Sequence, residues 1–182
     1  MDSPDTFTSH GVEFDRSPDK FGWLNESSAI RDDGDALRAT MKRDGYIFIR
    51  DYLDKEVVTD ARREILGRLA SVEEIDTSHP LMDAVASDTS TRGKLPDTRQ
   101  FGKDLRSGPA LTRLVHEGNV ITFFETFLGG EVRPFDHIWL RTVRVGSATG
   151  CHYDVVYMGR GTHNLYTSWI PIGDVPYSDG AL

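Results

Sequence analysis

The sequence predicts an α+β chain with a mainly β core, in which N-terminal helices flank a β-sandwich or jelly roll. Three observations carry that expectation. Apolar residues recur at helical spacing as far as Leu128 and switch to alternation after Gly129-Gly130. The runs beyond the switch are rich in aromatic and β-branched residues, as in Trp139-Leu140-Arg141-Thr142-Val143 and Leu165-Tyr166-Thr167-Ser168-Trp169-Ile170. Gly146, Gly150, Gly159-Arg160-Gly161, Gly173-Asp174 and Ser178-Asp179-Gly180 punctuate those runs as turns do.

Composition narrows the function classes. A chain of 182 residues, 38% hydrophobic and 27% charged, suits one globular domain. The net charge of -8 runs against a nucleic-acid groove, which needs surplus Lys and Arg, and against an anionic membrane surface. Cys151 is the only cysteine, so neither an intrachain disulfide nor a Cys-rich zinc site is expected. The first residues are acidic where a signal peptide is basic, and no apolar run reaches the length of a membrane span. A cytoplasmic protein acting on a small molecule is the expectation.

Residues 1–28 are polar, with Pro4 and Pro18, and read as a partly disordered arm that Phe7, Phe14, Phe21 and Trp23 tack down. Residues 29–182 form the domain. A first helix spans residues 30–43, with Ala36, Leu37 and Met41 on one face, acids in the first turn and Gly45 as C-cap. Tyr46-Ile47-Phe48-Ile49 reads as a short strand. Asp54 caps a second helix whose inner face is Val57, Val58, Ala61, Ile65, Leu66 and Leu69. Residues 73–103 have no clear period, which fits a lid, a binding loop or disorder. Residues 109–115 read as a short helix, and Asn119 caps another over 120–128 that carries Phe123, Phe124 and Phe127. Strands are expected at 131–133, 138–145, 151–157 and 165–172. That count is below the eight a jelly roll needs.

The chemistry concentrates at His152-Tyr153-Asp154. On a strand, residues two apart leave the same face ~6.6 Å apart at Cα. An imidazole and a carboxylate so placed converge on one cation. Two His and one carboxylate form the facial set of non-haem Fe(II) oxygenases. A buried His bonded to its neighbouring Asp is the competing reading.

The Asp44-Gly45-Tyr46 strand entry with a helix opening at Asp54, the run His152-Tyr153-Asp154 with Tyr157, the strand Leu165-Tyr166-Thr167-Ser168-Trp169-Ile170-Pro171 with Asp174, and Gly180-Ala181-Leu182 together resemble the phytanoyl-CoA dioxygenase family of Fe(II)- and 2-oxoglutarate-dependent oxygenases. The resemblance implies a double-stranded β-helix, the cupin-like jelly roll, and hydroxylation of an unactivated C–H bond in a small organic substrate. It implies that His152 and Asp154 are iron ligands. It also implies that Trp169 flanks the co-substrate, that Leu140 lines its pocket and that Arg99 is a basic contact to it. The family's distal His and the Arg that binds the far carboxylate of 2-oxoglutarate lie beyond the equivalent of Leu182. The resemblance therefore implies a domain incomplete at its C-terminus. His163 and His137 are the nearby candidates for a replacement ligand. The alternatives are a catalytically inactive remnant that binds metal or serves as an interaction module, and a zinc hydrolase of cupin type.

Overall fold

Four helices in the computed structural model begin where a carboxylate satisfies free N–H groups of the first turn. The structure describes residues 6–9, 11–142 and 152–176. They divide into two units, Glu26–Leu140 and Met1–Asn25 with Arg141–Leu182.

In the first unit α1 (Gly34–Asp44) opens at Asp33, whose carboxylate accepts the N–H of Ala36 at 3.0 Å. It closes at Gly45, φ 80°, a left-handed conformation that glycine adopts without steric cost. The longest helix, α2 (Lys55–Ala70), opens at Asp54, which accepts from Glu56 at 2.8 Å and Val57 at 3.3 Å. Asp97 caps α3 (Thr98–Arg106) through the Gln100 N–H. The next helix, α4 (Pro109–His116), has no capping side chain of its own. Glu64 of α2 supplies one instead, accepting from Ala110 at 3.0 Å. Gly108 leaves room for that carboxylate, since a Cβ there would collide with it. Finally α5 (Gly118–Leu128) ends at Gly129, φ 74°.

The apolar faces read from the sequence meet one another. α2 packs on α4, and α5 packs on both α1 and α4. Leu37, Ala61, Ile65, Leu66, Leu111, Leu114, Val120 and Phe127 are buried between them. Burying such side chains stabilises by roughly 1.5–3 kcal/mol each, and that makes this contact surface the core. Phe123 stacks on Phe127 at 6.0 Å and meets Phe124 edge-on at 5.3 Å. Arg38 on α1 donates to the last carbonyls of α5, Phe127 at 2.6 Å and Thr126 at 3.3 Å. It thereby satisfies acceptors that the helix leaves open.

The region at 73–103 is tied down rather than loose. Val72 and Ile75 are buried. Ile75 bridges Ala86, and short 3-10 turns form at Leu81–Asp83 and Arg92–Lys94. Glu74 accepts from Arg92 at 2.6 Å and Ser90 at 2.9 Å.

The second unit holds a two-residue hairpin, β1 (Thr8–Ser9) and β2 (Val12–Glu13), and one helical turn, α6 (Val155–Met158). Phe7 stacks on Phe21 at 5.7 Å with Arg16 over the Phe7 ring. None of this unit's described residues is buried.

The mainly β core is overturned. The chain is mostly helical, and β1–β2 is the only strand pair among the described residues, so neither a jelly roll nor a double-stranded β-helix is present there. Residues 131–133, 138–142 and 165–172 carry no ladder, and Phe48 of the expected 46–49 strand makes a single parallel bridge to Glu26. The expected motif strand is a turn at 152–154 followed by α6. Cys151, the 143–145 end of the second strand and the turns at Gly146, Gly150 and Ser178-Asp179-Gly180 lie outside the described residues. The physical reason is that alternation is only a local preference. A strand becomes stable when partners supply its hydrogen bonds and cover its face, whereas a helix closes its own bonds. No helix among the described residues is long and apolar enough to cross a membrane.

Candidate metal centre

His152 and Asp154 do come together, by a different backbone route from the one expected. The chain turns after His152, and the carbonyl of Asp154 accepts the N–H groups of Tyr157 at 2.9 Å and Met158 at 3.0 Å, which starts α6. Gly159 stops the helix after four residues. A Cβ there would lie 2.5 Å from the Val155 carbonyl oxygen, so only glycine permits the tight exit. The chain then returns to place Thr167 beside Asp154.

In the resulting geometry His152 Nε2 lies 3.4 Å from Asp154 Oδ1. Thr167 Oγ1 donates to Asp154 Oδ2 at 2.6 Å. The two ligand candidates keep side-chain exposures of 37% and 35%, enough for a small solute to reach them. At that exposure the ion pair itself adds little stability. Two donors each ~2.1 Å from one first-row ion stand ~3.0–3.4 Å apart at cis-octahedral or tetrahedral angles. The observed separation fits two ligands of one cation. Imidazole nitrogen and carboxylate oxygen are also the donor types that suit iron.

No protein-family model, curated protein or solved structure matches this chain.

Among the described residues no third ligand joins His152 and Asp154. Among the described residues no group of three His, Cys, Asp or Glu is placed to hold a metal. His163 is exposed in the return loop. His137 packs edge-on against Trp139 with ring centres 4.5 Å apart. His79 mimics a catalytic trio with Ser78 and Asp76, but both neighbours face the same ring nitrogen, Nδ1, at 3.2 and 3.4 Å. A hydrolytic triad needs Ser and Asp on opposite nitrogens.

The residues implied for the co-substrate are not gathered in one unit. Trp169 shares the unit of the His–Asp pair and is 54% exposed. Leu140 is half-buried and Arg99 is exposed on α3, both in the other unit. Thr167 went unassigned in the sequence, although it stands two residues before Trp169. A hydroxyl in an apolar stretch carries no signal of a partner 13 residues back.

Proposed function

We propose that the chain carries the His-x-Asp part of a non-haem Fe(II)- and 2-oxoglutarate-dependent oxygenase site that hydroxylates a small organic substrate. The resemblance to the phytanoyl-CoA dioxygenase family supports the metal and the reaction type. The observation that carries the reading is the convergence of His152 Nε2 and Asp154 Oδ1 to 3.4 Å with both groups open to solvent. His152 and Asp154 are ligands in this reading and move no proton. His152 must offer a neutral ring nitrogen, and Asp154 must be ionised. Iron with 2-oxoglutarate and dioxygen supplies the oxidising power, and the protein supplies ligands and orientation. Trp169, Leu140 and Arg99 are the co-substrate contacts that the resemblance implies, and no step is assigned to them. A reducing, cytoplasmic setting belongs to the same proposal and rests on the single cysteine.

A second reading is favoured by the helical fold and by the two-member donor set among the described residues. In it the chain binds metal, or serves as an interaction module, without turnover. Anaerobic titration of the purified chain with Fe(II) and then 2-oxoglutarate separates the two. The oxygenase reading expects a metal-to-ligand charge-transfer band on adding 2-oxoglutarate, and succinate on admitting air. Saturable Fe(II) binding with neither signal selects the second reading. An absence of Fe(II) binding removes the metal from both.

A further inference from the structure

An aspartate at the head of a helix ordinarily folds its carboxylate over the free N–H groups of the first turn. Asp33, Asp54 and Asp97 all do so, from extended backbone conformations. Asp154 does not. Its φ of -59° and ψ of -34° are already helical, and its side chain makes no cap bond. The carboxylate is met instead by Thr167, whose hydroxyl donates to Oδ2 at 2.6 Å. That length belongs to a charge-assisted O–H···O⁻ bond, about twice as strong as a neutral one. The other oxygen, Oδ1, faces His152 Nε2 at 3.4 Å. The two oxygens therefore have separate partners, and the bond from Thr167 fixes rotation of the carboxylate about its last torsion.

We infer that Thr167 is a positioning residue for the metal ligand Asp154, holding Oδ2 so that Oδ1 alone is presented beside the His152 imidazole. The inference rests on the reading of His152 and Asp154 as metal ligands. Its physical basis is general. A terminal carboxylate torsion is broad and soft, so an unrestrained carboxylate samples many orientations and both coordination modes. Thr is β-branched and stiff about its own first torsion, which makes it a firm donor. Losing a bond of this kind to a ligating group typically costs ~10–100-fold in metal affinity.

The test uses the full chain and Co(II) alone as probe, with affinity read by calorimetry and coordination read from the visible absorption bands. Thr167→Val keeps the shape and removes the hydroxyl, and it is expected to weaken Co(II) binding by ~10–100-fold. The bands should also lose intensity as the freed carboxylate takes up bidentate coordination. Thr167→Ser restores the donor and should return the affinity to within ~3-fold of the unsubstituted chain. A role confined to structure would lower the melting temperature and leave affinity and spectrum unchanged. Thr167 is exposed, so the Val variant should fold, and Thr167→Ala gives a second hydroxyl-free chain with the same expected loss. If both hydroxyl-free variants bind Co(II) as the unsubstituted chain does, the inference is wrong while the ligand assignment stands. If the unsubstituted chain binds no Co(II), the ligand assignment fails, and the role of Thr167 falls with it.

Discussion

Gly34 opens α1 directly under the last turn of α5. A Cβ at this position would press into the Thr126 carbonyl oxygen, a backbone atom that cannot swing aside. Two effects oppose each other there. Alanine is the better helix former by up to ~1 kcal/mol, and less at a first-turn position. Overpacking against backbone costs ~1–3 kcal/mol. The clash wins, so Gly34→Ala should destabilise the chain by about 2 kcal/mol, seen as a lower urea midpoint with an unchanged slope. A midpoint that rises would show that α1 and α5 are not in this contact. Gly108 differs, because its neighbour is the tip of the flexible Glu64 side chain, and the loss there would be the α4 cap rather than the packing. The legibility of single residues follows the same divide between local and distant causes. Asp54 and Gly45 are readable because their caps are local, whereas His152 and Asp154 meet through a turn rather than through the expected strand. Gly34, Gly108 and Thr167 answer to groups 92, 44 and 13 positions away, and no local pattern announces such partners.

At the scale of elements, α1, α2, α4 and α5 are legible in the sequence, while α3 and α6 are not, and the strands expected after Gly130 do not form among the described residues. The α2 face from Val57 to Leu69 and the Phe123–Phe127 face follow from a 3.6-residue period that one segment displays alone. One cap was misassigned. Asn119 does not open α5 but donates to the Tyr52 carbonyl at 2.6 Å, pinning the entry to α2 instead. Residues 73–103 show no clear period in the sequence, yet α3 begins within them at Thr98, and residues 73–96 are ordered by few, nonlocal contacts. Glu74 is the hub, with its side chain 13% exposed and both carboxylate oxygens engaged, one by Arg92 and one by Ser90. Arg92 also lies 5.1 Å from the centre of the Phe101 ring, joining the segment to α3. Removing the guanidinium takes from the half-buried Glu74 its 2.6 Å ion-pair partner. Arg92→Ala should therefore ease local opening by about 1.4 kcal/mol, or ~10-fold in the open population. Limited digestion with a protease of broad specificity should cut within residues 76–97 about that much faster, with α1 and α5 still intact. Cleavage that begins elsewhere, or at an unchanged rate, would mean the segment is held by other contacts.

For the whole molecule, the decisive contrast is where apolar surface is covered. Every buried residue among those described lies between Ser27 and Phe127. In the other unit Tyr153, Val156 and Tyr157 are 79%, 74% and 73% exposed, on or next to the turn that carries the candidate metal ligands. The β-rich pattern of that region predicted a sheet, and a sheet would have covered one face of those side chains. Pattern records which residues want cover and is silent on what provides it, which is why α1, α2, α4 and α5 follow expectation and the β half does not. Stability must divide the same way, because opening free energy follows buried contacts. In hydrogen exchange, amides of α1, α2 and α5 should exchange only through global unfolding. Those of α6 and residues 165–172 should be protected less than ~10-fold. Adding Co(II) tests the linkage between this weak region and its candidate function. A ligand that binds only the ordered turn stabilises it by mass action, by about 2.7 kcal/mol at a hundredfold excess over Kd. Exchange should then slow at residues 152–167 and stay unchanged in α1 and α5. Equal slowing throughout the chain would show that the metal acts elsewhere, and strong protection of 152–172 before any metal is added would show that this region already has the cover its side chains require.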